Sequence, residues 1–364
     1  MSSPSELEQQ IRQAIAEAGG WLPFDRFMAL ALYAPGLGYY SNERQKFGLM
    51  PASGSDFVTA PELSPLFGEA LAAQVGQALE ASGTGTVWEF GAGTGALAAQ
   101  LLECLGERIR RYVIVDLSGT LRQRQAEKLA PWRVRVEWLD ELPASFEGVV
   151  VGNEVLDAMP VQLLHFDGRQ WLERGVAIDG ERFAWADRPT TLQPPATGAE
   201  VPSYVPGTVT EIHPQGEAFV RTLASALTRG AAFLIDYGFP ESEYYHPQRH
   251  GGTLMCHHLH QADPDPLVLV GQKDITAHVN FTGIALAGQD AGLTVLGYTS
   301  QGNFLINCGL VGMLCHATLP QRAMAHKLIA EHEMGELFKV IGFATPGVDF
   351  DPIGFTAGDR SHTL

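Results

Sequence analysis

Residues Val87–Gly95, which read VWEFGAGTG, decide the fold of this chain. Their apolar start predicts a β-strand, and the apolar periodicity from Ala96 to Leu105 predicts a helix directly after it. The alternate glycines between the strand and the helix lack a Cβ, so the turn can adopt positive φ angles and a ligand can approach its backbone. The stretch therefore predicts a strand–turn–helix unit of a nucleotide-binding α/β sheet.

The residue types in this turn distinguish between two cofactors. Gly91, Gly93 and Gly95 follow the spacing G-x-G-x-G, which differs from the G-x-G-x-x-G of dinucleotide-binding proteins. Glu89 stands just before them, where a carboxylate repels a diphosphate but attracts the ammonium and sulfonium groups of a methionine-derived ligand. We therefore expect S-adenosyl-L-methionine here. The alternative, a plain tight turn with a surface Glu89, is disfavoured by an acid further along the chain, Asp116.

Two acids follow the next two predicted strands. Asp116 ends a strand over 112–115, where an acid of a nucleotide-binding sheet accepts the ribose hydroxyls. Asp140 follows a strand predicted over 134–138, and we predict that it accepts the adenine amino group. Capping of a following helix is the alternative role for both acids.

The rest of the chain predicts how this unit is embedded. Further strands at 149–151 and 232–235 alternate with helices, which indicates a mostly parallel sheet covered on both faces. The fold class is therefore α/β and Rossmann-like, with an N-terminal helical cap and insertions after the fourth and fifth strands. The predicted N-terminal division, 1–82, is a helical cap with a cofactor-covering loop. The predicted core comprises 83–161 and 228–364 and contains a substrate loop at about 240–274. The remaining division, 162–227, is an insertion whose Asp-Gly pairs predict hairpins.

The loop after the fourth strand, Gly152–Pro160, carries candidate catalytic residues. Glu154 and Asp157 are three residues apart, so a helical turn would place them on one face. Two carboxylates can hold a guanidinium and keep one of its nitrogens directed at a methyl donor. We predict that these two acids are catalytic and that Asn153, which opens the loop, contacts the cofactor. The alternative is a capping role for Asp157 and a solvated Glu154.

Composition limits the partners. The net charge of −17 disfavours nucleic acid and anionic lipid and favours a cationic substrate. The four cysteines contain no C-x-x-C pair, which disfavours a disulfide framework and a zinc site and fits a reducing compartment. No apolar run approaches the roughly 20 residues needed to span a membrane. With no signal or transit peptide at its start, the chain is expected to be cytoplasmic. Its oligomeric state stays open, with a homodimer among the alternatives.

A histidine-rich segment resembles a metal cluster but predicts none. Cys256, His257, His258 and His260 lie close together in the sequence, yet there is no second cluster with ligand spacing. A structural or substrate-loop role is favoured for them. His278 is a candidate base, with simple packing as the alternative.

The chain resembles the MidA family of S-adenosylmethionine-dependent methyltransferases. The resemblance rests on the glycine turn, on 153–160 (NEVLDAMP) and on segments along most of the chain: 27–33, 35–40, 54–62, 67–68, 236–238, 252–254, 274–281 and 334–340. It implies a class I methyltransferase fold. It also implies that Gly54, Asp56, Thr59, Pro61 and Glu62 line the cofactor site. An ordered structural loop, with Thr59 capping a helix at Pro61, is the alternative.

The resemblance also implies an activity. Mitochondrial members of the family act in respiratory complex I assembly, and that branch implies symmetric dimethylation of arginine in a partner protein. Asn280 stands where the family usually has Asp, which weakens the case that an acid at this position is essential. Protein arginine methylation is our leading expectation. The alternatives are methyl transfer to a small molecule and a non-catalytic assembly or binding factor that retains the fold.

Overall fold

The computed structural model describes residues 4–42, 58–116, 119–195 and 204–364. They form two compact units. The hairpin unit comprises 1–57, 157–216 and 239–280, and the α/β unit comprises 58–156, 217–238 and 281–364. This division differs from the predicted one, because the unit boundary lies at Phe57–Val58 rather than after residue 82. Helix packing explains the difference: Leu71, Val75, Leu101 and Leu105 share one core within the α/β unit.

Among the described residues, the hairpin unit is built mainly from antiparallel strands. Its elements, numbered along the whole chain, are α1 (Glu6–Glu17), β1 (Leu22–Pro23), α2 (Phe24–Tyr33), β6 (Gln162–Phe166), β7 (Trp171–Asp179), β8 (Arg182–Pro189), β9 (Val209–Ile212), α8 (Glu241–Tyr244), β11 (Met255–His258), β12 (Gln261–Asp263), β13 (Asp274–Thr276) and β14 (Val279–Asn280). One sheet has the order β1-β7-β6-β9, with β8 paired to β7, and a smaller one has the order β12-β11-β13.

Local sequence explains several of these elements. The predicted Asp-Gly hairpin turns lie between β6 and β7 and between β7 and β8. A capping box formed by Ser5 and Glu8 starts α1. The predicted loop at 240–274 contains α8, β11 and β12, so the expectation of an irregular segment is wrong there. These two strands are four and three residues long, too short for the alternation that identifies a strand from sequence.

The α/β unit contains the predicted sheet and its helices. Its elements are α3 (Ala60–Leu63), α4 (Pro65–Ser82), β2 (Thr86–Phe90), α5 (Ala96–Leu105), β3 (Arg111–Val115), α6 (Gly119–Lys128), β4 (Val136–Leu139), β5 (Phe146–Asn153), α7 (Pro214–Ala226), β10 (Leu227–Phe239), α9 (Phe281–Asp290), β15 (Thr294–Ser300), α10 (Gln301–Asn307), α11 (Leu310–Leu314), α12 (Leu319–Ile329), α13 (Met334–Leu337) and β16 (Phe338–Ala344). Ser64 separates α3 from α4: it follows the last residue of α3, and its side chain caps α4 by accepting the amide of Leu66.

Strand order in the α/β unit positions a binding site. Among its described residues, seven strands follow the order β15-β16-β10-β5-β2-β3-β4. The pairs from β10 to β4 are parallel and β16 is antiparallel to both of its neighbours, which confirms a mostly parallel sheet. The chain runs outward from β2 through β3 to β4 and then returns to β5 on the other side of β2. Ligands of such sheets bind beyond the carboxyl ends of the strands at this switch point.

Within the described residues, we find no helix with the length and apolar character needed to cross a membrane.

Candidate active site

Strand register in the α/β unit aligns the predicted cofactor residues along one sheet edge. The residues at or directly after the paired carboxyl ends are Gly91 (β2), Asp116 (β3), Asp140 (β4), Asn153 (β5) and Asp236 (β10). Neighbouring strands lie about 4.8 Å apart, so this row spans the width of an extended nucleoside ligand. The structure therefore brings four predicted residues into one row, together with Asp236, which sequence analysis did not propose as a site residue.

The glycine turn adopts the backbone conformation predicted for it. Gly91, Gly93 and Gly95 have φ angles of 63°, 53° and 82°, all in the left-handed region that favours glycine. Gly95 is also the N-cap of α5, whose first amides lack acceptors within the helix. A Cβ on Gly91 would lie 3.3 Å from Cγ2 of Val155, so the turn packs against the loop after β5. A side chain at Gly91 would therefore require Val155 to move by a few tenths of an ångström, in addition to a backbone conformation that disfavours a Cβ.

Glu89 is a buried acid at the end of β2. Its residue is 3% exposed, and its Oε2 accepts a hydrogen bond of 2.7 Å from the Tyr112 hydroxyl. Burial is the main cause that raises the pKa of the Glu89 carboxyl to about 8; the Tyr112 bond opposes the rise, and the negative charge of Asp116 adds to it. An ionised Glu89 therefore needs a cation to compensate its desolvation. A cationic ligand group is the partner that fits this requirement.

Gln125 links the turn to the predicted ribose acid, and sequence analysis did not predict it. Its Nε2 donates to the Gly93 carbonyl at 2.9 Å and to Asp116 Oδ2 at 2.8 Å. Its Oε1 accepts a hydrogen bond of 2.9 Å from Trp138 Nε1. Gln125 is fully buried, so the three bonds fix Asp116 relative to the glycine turn. No motif marks this position, because the residue acts from the inner face of α6.

Asp140 differs from Asp116 in its surroundings. It follows β4, two strands from the glycine turn, and its side chain is 79% exposed. Its Oδ1 lies 2.5 Å from Arg122 Nη2. An exposed ion pair contributes little to stability, so Asp140 can exchange Arg122 for a ligand amino group at small cost. Its predicted contact with adenine stays a prediction.

The predicted covering segment reaches the turn through Glu62. The Thr94 hydroxyl donates to Glu62 Oε1, and Lys128 Nζ lies 3.5 Å from the same carboxylate. Gln100 Nε2 donates to the carbonyl of Pro61 at 2.8 Å, which ties this segment to α5. Thr59 is the N-cap of α3 but makes no side-chain capping bond, so the structural alternative for it loses support. Gly54 and Asp56 lie outside the described residues.

The loop after β5 does not form the predicted helical turn. Residues 154–159 form bends and turns, and Glu154 has a φ of 54°, which is unusual for a residue with a side chain. The prediction that Glu154 and Asp157 share a helical face is therefore wrong. The left-handed φ takes the backbone of Glu154 out of the right-handed helical region. The loop is held instead from β10, where Asp236 Oδ2 accepts hydrogen bonds from the amides of Val155 and Leu156 at 3.1 and 2.9 Å.

The two predicted catalytic acids have different environments. Glu154 is half-buried in the α/β unit, and its Oε1 accepts a hydrogen bond of 2.9 Å from Asn153 Nδ2. Asp157 belongs to the hairpin unit and is 4% exposed. Its carbonyl accepts a bond of 3.0 Å from the amide of Ala277. Of the two, Glu154 lies beside the row of residues at the sheet edge, since it directly follows Asn153 and is bonded to it.

The histidine-rich segment forms part of a small sheet. His257 and His258 lie on β11, where they pair with β12. His258 Nδ1 lies 2.9 Å from the carbonyl of Gln272. Cys256 is fully buried, and burial raises the pKa of its thiol to about 12, so it does not become a thiolate near neutral pH. These contacts favour the structural role for the segment.

The α/β site fits S-adenosylmethionine better than a dinucleotide. Three glycines in its turn have no Cβ, so a ligand can approach the backbone there, and the acids near the turn are Glu89 and Asp116. A diphosphate at the turn would face these acids, and the ammonium of Lys128 is already paired with Glu62. A sulfonium and an ammonium would instead be stabilised. The sheet order and this charge pattern define the class, an S-adenosylmethionine-dependent methyltransferase of the Rossmann-like type.

Comparison with known proteins agrees with this class. Residues 69–299 match a family of S-adenosyl-L-methionine-dependent methyltransferases. The crystal structure of a Burkholderia thailandensis protein bound to S-adenosyl-homocysteine is 53% identical to this chain, with a TM-score of 0.94 over 100% of both chains. Protein arginine methyltransferase NDUFAF7, mitochondrial, of Danio rerio is 27% identical over 85% of this chain and 78% of its own length. The mitochondrial NDUFAF7 homologue of Caenorhabditis elegans is 27% identical over 92% of this chain and 87% of its own length.

The chain belongs to this family of S-adenosyl-L-methionine-dependent methyltransferases, since the match covers well over half of its length. The predicted enzyme class and the predicted cofactor are thereby confirmed, as is the resemblance to the MidA methyltransferases. The individual roles predicted for the site residues stay predictions.

Proposed function

We propose that this chain is a protein arginine N-methyltransferase, which transfers methyl groups from S-adenosylmethionine to a guanidine nitrogen of a partner protein. Two relatives aligned over most of this chain carry the name protein arginine methyltransferase. The observation that carries the proposal is the placement of the Glu154 turn directly against the glycine turn. This placement follows from the close approach of Val155 to Gly91.

Each side chain then has a defined task. S-adenosylmethionine supplies an electrophilic methyl carbon on its sulfonium sulfur. Asp116 holds the ribose hydroxyls, with its position fixed by Gln125. Glu89 provides negative charge at the cofactor's amino-acid end. Glu154 accepts hydrogen bonds from the guanidinium and orients one nitrogen for displacement at carbon, a step in which positioning supplies most of the rate gain.

The acceptor is expected to be cationic because the groups that face it are acidic. A carboxylate binds a guanidinium through short, charge-assisted hydrogen bonds and gains little from a neutral acceptor. The net charge of −17 adds a long-range attraction for basic segments of a partner. We extend the proposal to symmetric dimethylation of a protein of a respiratory complex, which the family resemblance implies.

A labelling experiment tests this function. The purified chain is incubated with S-adenosylmethionine that carries a deuterated methyl group and with cell extract, and proteins and metabolites are both analysed by mass spectrometry. We expect labelled arginine, with both terminal nitrogens labelled in the dimethylated product. The Glu154→Gln variant is the control and should label arginine about 100-fold more slowly. Label confined to metabolites, or to residues other than arginine, would contradict the proposal.

A further inference from the structure

Asp236 binds three backbone amides with one buried carboxylate. It is 1% exposed and directly follows Ile235, the last residue of β10 that pairs with β5. Its Oδ2 accepts the amides of Val155 and Leu156 at 3.1 and 2.9 Å, and its Oδ1 accepts the amide of Tyr237 at 2.9 Å. Oδ2 therefore fastens the loop after β5 to β10, and the bond from Tyr237 to Oδ1 holds the carboxylate in place on its own strand.

The residue before these amides has a strained backbone. Glu154 has a φ of 54°, a region that residues with a Cβ rarely occupy, and its amide donates to the carbonyl of Ile235 at 2.9 Å. Such a conformation persists only where the surroundings hold it on both sides. Here the Ile235 bond holds the amide of Glu154, and the Asp236 bonds hold the two residues that follow.

Asn153 holds the side chain of Glu154 from the other direction. Its Nδ2 donates to Glu154 Oε1 at 2.9 Å. Because an ionised carboxylate only accepts hydrogen bonds, the amide must turn its NH2 group toward Glu154. Its Oδ1 then points elsewhere, and it is buried without a hydrogen-bond partner among the described residues. A buried acceptor of this kind is available to an N–H donor of a bound ligand.

We propose that Asp236 is a positioning residue, which holds the strained turn at Glu154 and thereby directs the Glu154 carboxylate toward the methyl acceptor. The inference rests on the proposed function for the role of Glu154, but the arrangement of the turn is independent of which acceptor binds. Asparagine cannot replace Asp236, because it has one oxygen. Its NH2 group would face either the Tyr237 amide or the amides of Val155 and Leu156, and donors would then oppose donors.

The test combines kinetics with hydrogen exchange in the full chain. In Asp236→Asn we expect kcat for arginine methylation to fall about 100-fold, as displacement of a positioned group by about 1 Å does. The Kd for S-adenosylmethionine should change by less than about threefold, because the glycine turn is unchanged. The amides of Val155 and Leu156 should lose protection from exchange.

Thr345→Val is the matched control for a structural effect. Thr345 is 2% exposed, and its Oγ1 accepts the Gly230 amide at 3.0 Å, near the opposite end of β10. This variant also removes a buried side-chain bond to β10, so it should lower stability but leave kcat unchanged. Equal losses of kcat in both variants would overturn the proposal, because the loss would then follow from destabilisation of the strand.

Hydrogen exchange separates this proposal from the proposed function. Unchanged protection of Val155 and Leu156 in Asp236→Asn would overturn the inference, whatever the acceptor is. Wild-type kcat in this variant would also overturn it. If the wild-type chain methylates no arginine, the proposed function fails, and the exchange result still decides the role of Asp236 in the turn. If Asp236→Asn does not fold, Asp236→Glu takes its place, with both oxygens displaced by one methylene and the same losses expected.

Discussion

Replacement of Glu89 by glutamine tests the electrostatic basis of cofactor binding. The substitution keeps the shape of the side chain and an oxygen that can accept the 2.7 Å bond from Tyr112, but it removes the ionisable group. In the ligand-free protein, burial raises the pKa of the Glu89 carboxyl from 4.5 to about 8. The native state therefore retains a proton that the unfolded chain has already lost, over the interval from about pH 4.5 to about pH 8.

The sign and size of the effect on stability follow from this difference. Because the native state binds more protons than the unfolded state, the free energy of unfolding falls as pH rises through the interval. Each pH unit well inside it costs about 1.36 kcal/mol, so Glu89 lowers the wild-type free energy of unfolding by about 2 kcal/mol between pH 6 and pH 8. Glu89→Gln lacks this loss, so its free energy of unfolding relative to that of wild type should rise by about 2 kcal/mol from pH 6 to pH 8.

Cofactor affinity should respond in the opposite way. A bound cation favours the ionised form of Glu89, so wild-type affinity for S-adenosylmethionine should rise from pH 6 to pH 8 beyond any change caused by the ligand's own titration. Glu89→Gln binds the same ligand without this charge, so it should bind more weakly and should show only the ligand's contribution. The two proteins therefore separate the titration of Glu89 from that of the ligand.

Chemical denaturation and titration calorimetry, each at pH 6 and pH 8, provide both measurements. Glu137→Gln is the matched control, because Glu137 forms an exposed ion pair with Arg111 and is 45% exposed. Its stability relative to wild type should change little with pH. The reasoning is refuted if the stability of Glu89→Gln relative to wild type is the same at both pH values. It is refuted equally if the substitution leaves cofactor affinity and its pH dependence unchanged.

Three further substitutions test other parts of the site. Gly93→Arg should abolish S-adenosylmethionine binding in calorimetry. The φ of 53° at Gly93 disfavours a residue with a Cβ, and the long arginine side chain would fill the space through which the ligand approaches the turn. Normal binding would exclude the turn from the cofactor site. Gln125→Leu should raise the Kd for S-adenosylmethionine about tenfold, because it loses the bonds to Gly93 and Asp116. An unchanged Kd would show that these bonds do not fix Asp116 for ribose binding. Glu154→Gln should retain cofactor binding and lose about 100-fold in kcat, and full turnover would exclude Glu154 from catalysis.

The sequence predicted the features that depend on local pattern. The glycine turn, the parallel strands and the Asp-Gly hairpins each have a short signature, and the structure confirms them. The cofactor followed from the charge of Glu89 next to the glycines, although the burial that raises its pKa has no sequence signature. Asp116 could be predicted because strand ends in such sheets lie at a common edge.

The features that sequence analysis missed depend on contacts distant in the chain. Gln125 bonds Gly93 from α6, the helix that follows β3 in the chain, and Asp236 bonds Val155 and Leu156 from a strand some 80 residues later. The incorrect pairing of Glu154 with Asp157 has a related origin: spacing predicted a helical turn, but Glu154 has a left-handed φ of 54° and its amide donates to the carbonyl of Ile235 in β10. The division into units also differed, since chain order does not reveal that α4 packs on α5. The cytoplasmic location stays a prediction.

A crystal structure of this chain with S-adenosyl-homocysteine tests the central claim most directly. We predict that the ribose hydroxyls lie within hydrogen-bond distance of Asp116, that the amino-acid end lies over the glycine turn on the side of Glu89, and that the sulfur is turned toward the Glu154 loop. A ligand bound away from this edge of the sheet, with no ribose oxygen in contact with Asp116, would contradict the claim.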